Sequence, residues 1–269
     1  MTPRGVILYP KPAGVTSHDV VAQVRRRLSQ QTGKRVKVGH AGTLDPFATG
    51  LLLVLVGQAT RVQRYLLGLP KTYRVVARLG WRSDTGDCDG TLEQTGRISE
   101  DPRIPVGPQL QRPPAYSAVK VDGERLYNRA RRGDPVEGAP RLIEVLDARL
   151  LERDPERATF ELRVSSGTYI RVLVADLSDA YCEALERTAI GAFALADADP
   201  EQIVDLDTAL SFMPAVELDG EEASRAADGV ATRPAASEDP PARLIHGGAL
   251  VAIGESRDGL LRPVVVFRG

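Results

Sequence analysis

Val38-Gly39-His40-Ala41-Gly42-Thr43-Leu44-Asp45-Pro46-Phe47-Ala48-Thr49-Gly50 runs directly into the apolar block Leu51 to Val56. Its glycines permit tight or left-handed backbone, and Pro46 pushes Asp45 out of the helical region. The stretch predicts an irregular loop that holds one carboxylate against a buried strand. Upstream, Gly5 to Tyr9 reads as a short strand and Pro10 to Gly14 as a turn. Thr16 with Asp19 three residues on makes a capping box. The helix it opens has Val20, Val21, Val24 and Leu28 on one face and Gln23, Arg25, Arg26 and Arg27 on the other. Downstream, Lys71 to Gly80 alternates as a half-buried strand, with Tyr73, Val75, Ala77 and Leu79 inward. On pattern alone Tyr73 belongs to the core. Strands and helices in alternation point to an α/β chain.

With 269 residues, 42% of them hydrophobic, the sequence has room for one large domain and a small one. No apolar run reaches transmembrane length and the N-terminus lacks a signal pattern, so a cytoplasmic protein is expected. Cys88 and Cys182 form no metal-spaced cluster and read as ordinary reduced side chains. The net charge of -1 conceals an asymmetry. Residues 1–82 hold 14 Lys or Arg and only two acids, Asp19 and Asp45, so they carry +12 and the remainder -13. Such a segment fits a polyanionic partner as well as it fits a solvated basic face. Within it, the charged form of Asp45 is expected to be favoured.

Ser83 to Gly90 has calcium-loop spacing, with Thr85, Asp87, Asp89 and Gly90 at the first, third, fifth and sixth places. The twelfth place is Gly96 where a bidentate Glu is needed, so no metal is assigned. Asp101 to Pro114, with five prolines, predicts an extended connection. A helix is expected over Glu124 to Arg132, and strands over Arg141 to Leu151 and Ala158 to Ser165. A further helix should end near Leu177. Residues 197–239 hold twelve acids against Arg225 and Arg233 and read as a linker, apart from a helix near Asp205 to Phe212. Gly247 to Glu255 and Leu261 to Phe267 form an expected hairpin pair.

Several motifs together carry a family resemblance. Gly39-His40-Ala41-Gly42-Thr43-Leu44-Asp45-Pro46, then Ala48-Thr49-Gly50-Leu51-Leu52 and Gly57-Gln58-Ala59-Thr60-Arg61, resembles the active-site motif of the TruB family of tRNA pseudouridine synthases. Lys11-Pro12-Ala13-Gly14-Val15-Thr16-Ser17 is similar to the K-P-x-G-x-[ST]-S segment that precedes it. Lys71-Thr72-Tyr73, the Ser83 to Gly90 loop, Pro114 to Lys120 and Gly167-Thr168-Tyr169-Ile170-Arg171 match further family patterns. The resemblance implies Asp45 as the catalytic carboxylate, Tyr73 as the base-stacking residue and Arg171 as the second active-site side chain. It further implies that His40 fills the gap left in the RNA stack and that Leu185 packs by the target base. Lys11 is a candidate substrate-binding residue on the same ground. Two departures stand out. Pro105 occupies the place of a family Phe, and only seven residues separate Asp176-Leu177 from Leu185, where the family carries a longer thumb-like insertion.

By this resemblance the fold is a mixed, mainly antiparallel sheet flanked by helices across an RNA cleft, followed by a small β-rich, PUA-like C-terminal domain. The division expected is 1–212 and 213–269. The implied reaction isomerises a T-loop uridine of tRNA (position 55) to pseudouridine. It uses no cofactor and no metal, and a monomer acting on the T arm is expected. Two readings from other classes stay open: an N-glycosidic bond hydrolase drawing a second carboxylate from Asp84, Asp87 or Asp89, and a non-catalytic RNA chaperone that uses the basic segment alone.

Overall fold

A computed structural model describes residues 3–267 apart from 115, 118, 119, 122, 127, 128, 130, 131, 135, 137 and 237. Its strands in chain order are β1 (Gly5–Lys11), β2 (Val38–His40), β3 (Thr49–Val56), β4 (Lys71–Leu79), β5 (Trp81–Ser83), β6 (Leu92–Gln94), β7 (Gly107–Gln111), β8 (Lys120–Val121) and β9 (Glu124–Arg125). They continue with β10 (Arg141–Arg153), β11 (Arg157–Val164), β12 (Ala180–Ile190), β13 (Phe193–Ala194), β14 (Ala215–Glu217), β15 (Ala242–His246), β16 (Ala249–Arg257) and β17 (Leu260–Val266).

One nine-stranded sheet organises the chain, in the order β1-β3-β12-β4-β11-β10-β7, with β2 on β3 and β13 on β12. All its pairings are antiparallel except β12 with β3, where Glu186 meets Thr49 and Arg187 meets Gly50. That parallel seam joins the two halves of the sheet at its centre. Helix α1 (Ser17–Thr32) begins at the expected capping box and buries Val20, Val21, Val24 and Leu28 against Val36, Val38, Leu52 and Val54. Burial of four such side chains, each worth roughly 1.5–3 kcal/mol, fixes the helix on the sheet. Val75, Ala77, Phe160 and Leu162 of β4 and β11 share a buried cluster with Ile170, Leu173 and Val174 of the helix Ile170–Ala175. Among the described residues no helix is long and apolar enough to cross a membrane.

Two expectations are corrected, and one strand is new. The proline-rich 101–114 is extended, but Gly107–Gln111 forms β7, the edge strand on β10. Proline is tolerated there because an edge strand leaves one side of its backbone unpaired. The acidic 197–239 is not a plain linker: it supplies β14 and the helix Gly220–Ala227, closed by an Asp219/Glu222 capping box. Residues 180–190 form a central strand that the Ala- and Glu-rich sequence did not suggest. The helix expected over Glu124 to Arg132 falls partly outside the described residues; within them Glu124–Arg125 pair with Lys120–Val121.

The C-terminal strands make a second sheet, β14-β15-β16-β17, so the expected hairpin pair is the core of a four-stranded unit. Leu218, Ala226, Leu244, Ala252 and Leu261 form its own buried cluster. Ile253, Val265 and Phe267 share a cluster with Val6, Leu8, Leu51 and Leu53 of the large sheet.

Candidate active site

The loop between β2 and β3 carries Asp45, and nearly every carbonyl along it has a donor. Arg187 donates to the carbonyls of Gly42 and Thr43 and, past the loop, to that of Leu51. Ser17 Oγ donates to the Leu44 carbonyl (3.2 Å) and accepts from the Leu44 N–H (2.9 Å). The Asp45 carbonyl takes the Ala48 N–H in a tight turn. Gly14 N–H and Lys11 Nζ reach the Pro46 carbonyl, and Lys11 also reaches those of Ala48 (2.7 Å) and Pro12 (2.8 Å). Buried backbone must be satisfied, and here donors from the 11–17 stretch and from β12 do most of it. The loop is irregular in shape and fixed in place.

Arg171, at the start of the helix Ile170–Ala175, is 4% exposed. Its Nε donates to Asp45 Oδ2 at 2.9 Å, Nη1 to the Thr85 carbonyl at 2.6 Å, and Nη2 to the Tyr116 carbonyl at 2.9 Å. Nη1 also lies 3.2 Å from Asp87 Oδ2. The planar fork is thus held on three sides, which leaves its Nε edge to aim the Asp45 carboxylate. Asp87 is buried and engaged otherwise, accepting from Thr85 Oγ1 (2.5 Å) and the Asp89 N–H (3.1 Å). The loop that resembles a calcium site instead folds on itself to present Asp87 to Arg171.

Asp45 itself is one-third exposed. Its pKa is raised above the ordinary value, first by desolvation; Arg171 and Lys11 pull it down and Asp87 pushes it up. This corrects the sequence expectation that the basic segment favours the charged form. The segment's surplus arginines lie on the outer face of α1 and beyond, where water screens them. The pKa of Asp45 is set by burial and three near neighbours, Arg171 and Lys11 of one sign and Asp87 of the other.

Leu44 and Ala48 of the loop share one buried cluster with Tyr73 on β4 and Leu185 on β12. Tyr73 and Leu185 are each 8% exposed, so the pattern-based core assignment of Tyr73 and its placement beside the Asp45 loop hold together. Lys11 is 1% exposed with its ammonium on three carbonyls, which makes it a clamp beneath the loop; burial lowers its pKa to about 8. His40 stands apart. Its ring meets His18 edge-on at 5.8 Å, its carbonyl accepts from Gln63, and its Nδ1 is buried without a partner. Burial lowers its pKa, with His18 and Arg187 adding to the effect. Reasoning from sequence missed Asp87 as the brace of Arg171 and Arg187 as the clamp of the loop. For Asp87 the loop's family pattern was visible but did not reveal its partner, and nothing in the sequence around Arg187 pointed to the loop it clamps.

Residues 25–170 match the model of the TruB family pseudouridylate synthase N-terminal domain. The chain is 42% identical over 207 residues to the tRNA pseudouridine synthase B of Opitutus terrae, spanning 72% of this chain and 84% of that one. It is 36% identical over 284 residues to the tRNA pseudouridine synthase B of Azoarcus sp., spanning 96% and 93%. Among solved structures, a chain from the crystal structure of a Cbf5-Nop10-Gar1 complex matches with a TM-score of 0.69 at 25% identity, over 98% of this chain and 84% of that one. The chain belongs to the TruB family of pseudouridylate synthases. It is a pseudouridine synthase, an isomerase.

Proposed function

We propose that the enzyme isomerises a T-loop uridine of tRNA (position 55) to pseudouridine, with Asp45 as the catalytic carboxylate. The observation that carries this reading is the Asp45–Arg171 pair at 2.9 Å, set in a braced loop beside Tyr73 and Leu185. The reaction breaks the bond from ribose C1′ to uracil N1, turns the base and joins C1′ to C5. The C5 hydrogen leaves as a proton and N1 gains one, so atoms balance without an added reagent. Asp45 serves either by adding to C1′ or by removing a ribose proton; both need its ionised form.

A base inside folded RNA is out of reach and must be extruded. Tyr73 supplies the platform for it, stacking being worth roughly 1–3 kcal/mol per base. Leu185 packs on the same pocket, and His40 occupies the space the base leaves in the RNA stack. Lys11 acts on the loop rather than on the RNA. The backbone is gripped by the groove of Arg25, Arg35 and Lys37 at the root of β2, where Val36 and Val38 form the wall. Arg27, on the same helix, is already paired with Glu201. Residues 213–269 act as a small RNA-binding domain, and the chain works as a cytoplasmic monomer.

Nucleoside analysis of a T-arm transcript before and after treatment tests the reading. One pseudouridine replacing the T-loop uridine is expected. Free uracil in the products would replace this reading with glycosidic hydrolysis, and tight binding with unaltered nucleosides would replace it with a chaperone role.

A further inference from the structure

Arg187 is the largest fully buried side chain, 1% exposed, and its hydrogen bonds go to backbone carbonyls. Among the described residues no carboxylate pairs with it. Taking a cation out of water without a counter-ion is costly, and an apolar side chain would fill the same space more cheaply. The guanidinium therefore has to be explained by what its carbonyl partners gain.

Those partners flank Asp45. Gly42 (3.1 Å) and Thr43 (3.4 Å) precede it and Leu51 (2.8 Å) follows it, so one rigid fork ties the two arms of the loop together. The strand is shaped for this. β12 has a register shift between Arg187 and Ala189, a feature that re-aims a side chain. Opposite Arg187 stands Gly50 at φ +108°, where a Cβ would lie 2.4 Å from the Arg187 carbonyl oxygen. β3 and β12 approach this closely only because that position has no side chain. Lys11 holds the segment between, at Pro46 and Ala48.

The geometry points to Arg187 as a positioning residue of the isomerase, fixing the loop so that Asp45 meets both Arg171 and the ribose in register. This rests on the reading of Asp45 as the reacting carboxylate. A misplacement of about 1 Å costs on the order of 100-fold in rate, and Lys in place of Arg keeps the charge while losing the fork.

The test compares the full-length wild type with Arg187→Lys and Arg187→Met. It measures T-arm affinity, single-turnover pseudouridine formation, melting, and amide hydrogen exchange over residues 42–51. Arg187→Lys is expected to melt cooperatively and bind RNA within about twofold of wild type, to lose roughly 100-fold in rate, and to exchange faster in 42–51. Arg187→Met should be folded and equally slow. A rate within threefold of wild type in either variant would overturn the inference, as would rate and affinity falling together. Failure of both variants to fold would assign Arg187 to stability alone, against the inference. Hydrogen exchange is read on the protein without RNA, so it tests the clamp even if wild type forms no pseudouridine. In that event the functional reading fails on its own.

Discussion

Asp45, Arg171 and Asp87 form a row of two carboxylates about one guanidinium, and burial of Asp45, aided by Asp87, sets the sign of its pKa shift. A guanidinium at ~4 Å attracts a carboxylate by about 4 kcal/mol at an effective dielectric of about 20. Burial disfavours the charged form by more than Arg171 and Lys11 favour it, and Asp87 adds repulsion, so the pKa stands above its ordinary value. Activity that needs ionised Asp45 should therefore fall on acidification with a midpoint above the ordinary 3.8. Asp87→Asn should move that limb of the pH–rate profile downward; an unmoved limb would show that Asp87 does not act on Asp45. Stability carries the opposite sense. With the folded pKa raised, the cost of ionised Asp45 is complete above that pKa and vanishes as pH falls through the unfolded value. Asp45→Asn should then melt at or above the wild-type temperature at neutral pH. A clear drop in calorimetric Tm would contradict it. Asp45 and Arg171 were legible in sequence because their motifs are local. Asp87 and Arg187 were not, since their meaning lies in partners that are distant in sequence and met only through the fold.

Among the elements, the β2–β3 loop and the β3–β12 seam do the positioning. Gly50 is the critical point, and Gly50→Ala would bring a Cβ into the Arg187 backbone at a left-handed φ. A loss on the order of 3 kcal/mol is expected. Urea denaturation reads it as a lower midpoint at unchanged slope; a midpoint equal to wild type would mean the seam opens without cost. Helix α1, β1, β4, β10 and β11 were readable from capping and alternation. β12 was not, because two register shifts break its period and Ala, Glu and Leu favour helix locally. Tertiary pairing on both sides overrides that preference. The capped helix Gly220–Ala227 was hidden for a related reason: a run of acids and alanines suits a solvated helix as well as a linker.

Across the whole molecule, the charge asymmetry read from sequence becomes a distribution in space. Arg25, Arg35 and Lys37 line one groove, while Arg61 and Arg64 bind the C-terminal sheet at Val266 and Glu255. Replacing Arg25, Arg35 and Lys37 by Ala should weaken T-arm binding uniformly across sequences. It should also flatten the log Kd–log salt slope by roughly 1 per lost phosphate contact. Binding titrations at several salt concentrations check this, and an unchanged slope would remove the groove from the RNA path. The second sheet was foreseen as a small β-rich domain in which one hairpin pair could be placed, since β14 joins it from a segment of linker-like composition. Isomerisation of a T-loop uridine by Asp45 is read directly by tritium release from a T-arm transcript labelled at uridine C5. Wild type should release one tritium per transcript and Asp45→Asn none above background. Appreciable release by Asp45→Asn would contradict the role of Asp45, and none by wild type would contradict the activity.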